Sequence, residues 1–193
     1  MNKETTMTPP ATPTINPDRL AELDNLALDH GGHGSFTEGH CAMEAVAWLA
    51  GEPHSDTPAC ACPVIARAMI RLNDRIKDQA MRTELLRPLL PRIVGSRASR
   101  EVMIKRGFLA ADMAVHIFAP LALEKRGKLD LAAKLRGAPE IVDVASARAA
   151  EKIAREVRSA DAAYAYAYDA ARARKPIYEL GVQMIERMLE IRE

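Results

Sequence analysis

The chain has 193 residues, enough for one domain with a substantial core. Its 27 Lys and Arg against 26 Asp and Glu leave a formal charge of +1, which excludes a histone-like polycation and an acidic solvating chain. Hydrophobic residues make up 48 % but aromatics only 4 %, a balance that points to packed helices rather than a β-sandwich or barrel.

Residues Met1 to Thr14 are rich in Thr and Pro and carry no apolar core of a signal peptide. A disordered tail over 1–15 and one all-α, multi-helix domain over 16–193 are therefore expected. The uninterrupted apolar runs fall short of the roughly eighteen residues of a membrane span. With no secretory signal, Cys41, Cys60 and Cys62 are expected as thiols or metal ligands in a reducing, cytoplasmic setting.

In chain order, Asn16-Pro17 is a cap followed by Pro at the first helical position, and Leu20, Leu23 and Leu26 then follow one face. Gly31-Gly32 ends that helix. Four glycines between 31 and 39 place His33 in a loop, and Thr37 is a candidate cap for a helix from Glu38 to Ala50. After a loop over Glu52–Ala61, Cys62-Pro63 opens a helix with Ile65, Met69, Leu72 and Ile76 on its buried seam. Shorter helices broken at Pro88 and Pro91 fill Asp78–Val94.

Ser99 caps a helix expected to run to Phe118, with Pro120 kinking or ending it, and a short helix follows over Leu129–Leu135. From Asp143 to Lys175 the chain has thirteen alanines and no Gly or Pro, which predicts a long Ala-rich helix of about 45 Å. Tyr164, Tyr166 and Tyr168 cannot all lie on one face of it, and such tyrosines suit an interface. Pro176 opens the last helix, whose stripe of Ile177, Leu180, Met184, Met188 and Ile191 either packs internally or forms a dimer or partner seam.

Seven of the eight Cys and His residues lie between His30 and Cys62, and only His116 falls outside. Thiolates and imidazoles are the usual zinc ligands, so His40, Cys41, Glu44, Cys60 and Cys62 form a candidate zinc set. The spacing matches no standard finger, and buried thiols with surface histidines account for the same pattern.

Glu44 is the sharper signal, because a carboxylate in an otherwise apolar helix needs a partner or a task. At helical spacing His40, Cys41, Glu44 and Trp48 share one stripe. Cys41 and Glu44 are thus candidate catalytic residues, with the helix N-terminus favouring the thiolate. The alternative is that Glu44 pairs with an arginine of the next helix and only holds register. Trp48, Glu52, His54 and Asp56 would form the second wall of such a site, although Asp56 equally suits an Asx turn. The Asp112 and His116 pair could complete a thiol site only through the tertiary fold, and otherwise reads as a satisfied core histidine.

The block Cys41 to Pro53 (CAMEAVAWLAGEP), followed by Ser55-Asp56, Pro58, Cys60 and Cys62-Pro63-Val64-Ile65, resembles a family of uncharacterised bacterial and phage helical proteins with a C-x-M-E-A-V-A-x-x-A-G-E-P block. The resemblance covers the middle of the chain. It implies a helical fold and no particular activity. It also implies Trp at the position held here by His54, which argues against His54 as an essential ligand.

Charge gives a different lead. From Arg67 to Arg106 eleven Lys and Arg face four acids, and Arg67, Arg71 and Arg75 recur at every fourth residue on one helix. Such a stripe could meet phosphates of a nucleic acid. No aromatic residues interleave with it, and a solvated helical face is the simpler account. Two functions remain: a Cys/His/Glu pocket over 30–62, with zinc as its possible metal, or a non-enzymatic regulatory or assembly protein acting through protein or nucleic-acid contacts.

Overall fold

The computed structural model describes residues 14–160 and 175–192. The helices are α1 (Pro17–Glu22), α2 (Ala42–Leu49), α3 (Pro63–Arg75), α4 (Gln79–Leu86), α5 (Leu90–Ile93), α6 (Arg100–Met113), α7 (Ala119–Glu124), α8 (Leu129–Arg136), α9 (Val144–Ala160) and α10 (Lys175–Glu190). No strand occurs among the described residues, so the all-α expectation holds.

Local chemistry sets most of the ends. Asn16 Oδ1 accepts the backbone N–H groups of Asp18 and Arg19 ahead of Pro17, as the cap motif requires. Asp78 and Ser99 cap α4 and α6 in the same way, through Met81 N and Val102 N. Pro88 lies in a 3₁₀ turn and Pro91 in the first turn of α5, where a missing N–H costs nothing.

One expectation is corrected. Helix α2 begins at Ala42, four residues later than Glu38, because Gly39 has φ +132°. A Cβ there would come within 2.8 Å of Asp29 Oδ2 and His33 Cδ2, so Thr37 cannot open a helix running through this position. Of the two outcomes expected at Pro120, a kink or an end, the end does not occur. Residues Ala114–Phe118 widen into a π-turn in which Ala119 N–H reaches back to Ala114 O, and the chain continues through α7.

Arg100–Glu124 is by length and composition apolar enough to cross a membrane, a property hidden from a count of unbroken apolar runs by its scattered polar residues. In this fold the helix packs on α3 and α10 and, through Phe108, Ala111 and Val115, against α9. Of the long Ala-rich helix, Val144–Ala160 is present, capped by Asp143 and Ser146. Tyr164, Tyr166 and Tyr168 lie outside the described residues.

The main core runs from Leu28 through α2, with Ala42, Met43, Ala45, Val46 and Leu49 all inaccessible, to Ile65 and Met69 of α3, Ile76 at its C-cap, and Ile185 and Met188 of α10. The last helix therefore buries its apolar stripe within the chain, with Ile177 and Leu180 half-buried at its margin. Gly181 fits this closely: a Cβ there would lie 3.0 Å from Leu72 Cδ1, so that the leucine would have to give by a few tenths of an ångström. Two buried arginines fasten the ends. Arg82 donates to Asn73 O, Leu28 O and Ile76 O, closing the C-terminus of α3. Arg106 donates to Ser96 O, Met188 O and Ile191 O, closing that of α10. Both belong to the basic stretch Arg67–Arg106, yet both are interior.

Candidate functional site

Glu44 sits in the first turn of α2, and its carboxylate turns back on the entering chain. Oε2 accepts Cys41 N–H at 2.7 Å in a capping box, and also His33 Nδ1 at 2.8 Å. Oε1 accepts His33 N–H at 2.8 Å and lies 3.4 Å from His54 Nε2, which itself donates to His33 O at 3.0 Å. The partner of Glu44 is therefore a pair of histidines from two loops, not the arginine of a neighbouring helix. Burial alone would push its pKa up. The hydrogen bonds from His33 and Cys41 outweigh this and hold it below the usual carboxylate range.

The surrounding residues serve the same junction. Asn73 of α3 is fully buried; its Oδ1 accepts Ala42 N–H and its Nδ2 donates to Asp29 O. Asp74 Oδ1 accepts Gly31 N–H. Neither residue stood out in the sequence, since an Asn-Asp pair near a helix C-terminus is ordinary until a second helix start is laid against it. Loop 29–40 is thereby tied to both α2 and α3.

The proposed ligands do not converge. Among the described residues no group of three or more His, Cys, Asp or Glu is placed to hold a metal ion. His40 leaves the stripe and stacks on Phe36 at 4.2 Å, Phe36 stacks on Trp48 at 5.0 Å, and Arg19 covers the Trp48 ring at 5.6 Å. Burial lowers the pKa of His40, whose ring nitrogens make no hydrogen bond among the described residues. Cys60 N–H and Ala59 N–H are received by Glu52, and Cys62 N–H by Ser96 Oγ. Asp56 is exposed, and its turn is held by Ser55 Oγ accepting Thr57 N–H rather than by an Asx bond.

The expected activation of Cys41 is reversed. It lies at the cap, buried, and desolvation pushes its pKa up to about 12; Cys60 rises to about 11 for the same first reason. Both are protonated thiols at neutral pH. His116 is occupied elsewhere: Nδ1 lies 2.8 Å from Asp112 Oδ1 and Nε2 3.0 Å from Ala138 O, the satisfied core arrangement.

A large concavity among the described residues lies away from these groups. A groove of about 1480 Å³ runs between α3, α6 with its π-turn, and α10. Of residues 30–62 only His30 reaches it. Arg67, Arg71 and Arg75 line one wall, over an apolar floor that includes Leu72, Phe118, Leu121, Ile177 and Met184. Arg67 and Arg71 are exposed and have no ion-pair partner among the described residues. The cationic stripe thus borders a cavity, which spacing along one helix could not reveal.

Comparison with family models, with curated proteins and with solved structures found no match to this chain.

Proposed function

We propose that this chain is a non-enzymatic binding protein that receives a partly apolar, anionic partner in the groove between α3, α6 and α10. One observation carries the reading: an apolar floor bordered by Arg67, Arg71 and Arg75 in a cavity of about 1480 Å³. Apolar lining with a few convergent charges is the usual composition of a binding site. The Cys/His/Glu cluster is read as a structural junction. Its carboxylate already accepts three hydrogen bonds, and its thiols are not nucleophiles at neutral pH.

Zinc on His40, Cys41, Glu44, Cys60 and Cys62 is the less supported reading, because Glu44 would have to release its donors and three buried thiols would have to ionise, two of them against raised pKa values. A nucleic-acid role for Arg67, Arg71 and Arg75 has the charge in its favour. Phe118 and Tyr178 in the same groove are buried, with Tyr178 Oη donating to Arg75 O, so neither offers a stacking face.

The test uses 1-anilinonaphthalene-8-sulfonate, an apolar anion whose fluorescence rises in a dry site. The full-length protein should bind it in the folded state, and Ala110→Leu with Ala114→Leu, which fill the floor, should abolish the signal at unchanged melting temperature. Equal dye binding by the filled variant, or stoichiometric zinc in protein purified without chelator, would overturn the reading.

A further inference from the structure

We infer that the groove is built for an acidic amphipathic helix of about three turns, supplied by a partner protein; this rests on the binding reading above. Three features of the groove agree on that occupant.

The first is charge and its spacing. Arg67, Arg71 and Arg75 follow one another every four residues on α3, a rise of about 6 Å per step. A helix lying alongside α3 has the same rise, so carboxylates at i, i+4 and i+8 on it meet all three in one register. The groove is lined by four cations, Arg67, Arg71, Arg75 and Lys77, against two carboxylates, Asp74 and Asp78. The cations therefore remain in excess toward an incoming anion.

The second is the floor. Gly107, Ala110 and Ala114 stand at i, i+3 and i+7 on the side of α6 and its π-turn that lines the groove. A Cβ on Gly107 would meet nothing within 4 Å. Small residues along one face let two helix axes approach to about 8 Å. Met81 and Met184, which also line the groove, are adaptable side chains of the kind that accept an apolar helix face.

The third is size. A helix with its side chains is about 10 Å across, so about 1480 Å³ corresponds to a cylinder roughly 19 Å long, about twelve residues. A single acyl chain would leave most of that space unfilled. A phosphate backbone would use the arginines and leave the apolar floor uncovered.

The experiment titrates the full-length protein with a synthetic peptide of about fourteen residues. It carries Glu at i, i+4 and i+8 on one face and Ala and Leu on the opposite one. Binding is read by fluorescence anisotropy, displacement of anilinonaphthalene sulfonate, and gain of peptide helicity by circular dichroism. Micromolar binding with helix formation is expected, weakened at least about tenfold by Arg71→Glu. A Lys-for-Glu peptide should bind the Arg67→Glu, Arg71→Glu double variant in preference to the native protein. Both substitutions lie at exposed positions, and melting curves confirm the fold.

Equal binding of a scrambled peptide of the same composition would overturn the inference. So would displacement of the dye by decanoate or duplex DNA but not by the peptide, or self-association lost when the groove is filled. If the dye binds in the groove and the peptide does not, the helix is wrong and the binding reading stands. If the dye does not bind there, the binding reading itself fails.

Discussion

His33 and Glu44, eleven positions apart, are joined twice: His33 Nδ1 and His33 N–H each donate across 2.8 Å to a different oxygen of the one carboxylate. A side chain and a backbone group of the same loop residue therefore close on one buried acid. The loop cannot move from α2 without leaving a carboxylate 3 % exposed and undersupplied with donors.

Glu44→Gln should accordingly cost on the order of 3 kcal/mol in urea unfolding, because an amide offers one acceptor oxygen where the carboxylate offers two. Loss of stability with the helical spectrum retained at low temperature is the expected outcome. A variant as stable as the native protein would mean that the junction is not held by Glu44.

The same group sets a pH dependence. Its folded pKa is depressed below the ordinary value of 4.5. Its contribution is therefore fully present above about pH 4.5 and is lost as pH falls through the folded value. Unfolding free energy measured from pH 7 downward should drop steeply in that acid window, and Glu44→Gln should flatten the drop. An identical acid slope in both proteins would place the effect elsewhere.

Cys41 and Cys60, with thiol pKa values near 12 and 11, should not react with a disulfide reagent at pH 8 in the native protein. All three thiols should react once the chain is unfolded in urea. Rapid labelling of Cys41 in the native state would restore it as a candidate nucleophile.

Arg106 donates to three carbonyls, two of them at the C-terminal end of α10. Removing it as Arg106→Ala leaves those buried acceptors unmet and should cost about 3 kcal/mol. Lysine, a point charge without the planar fork, should recover only part of this. Hydrogen exchange should show faster opening of α10 in the alanine variant while α2 and α3 keep their protection. Uniform acceleration across all helices would instead indicate one cooperative unit.

Much of this fold was legible in residues that act locally. The Asn16-Pro17 and Cys62-Pro63 starts, the Asp78 and Ser99 regions, and the seam of Ile65, Met69, Leu72 and Ile76 each carry their meaning within one or two turns, where propensity, capping and 3.6-residue periodicity operate. What tertiary structure decided involves partners far apart in the chain. Asn73 reaches the start of α2 across 31 positions, Arg106 reaches α10 across more than 80, and Glu44 chose His33 over any arginine. The groove belongs to the same class. Arg67, Gly107 and Ile177 come from three helices, and no spacing along the chain records that their faces leave a cavity between them, because a cavity is a property of how helices pack and not of any one helix.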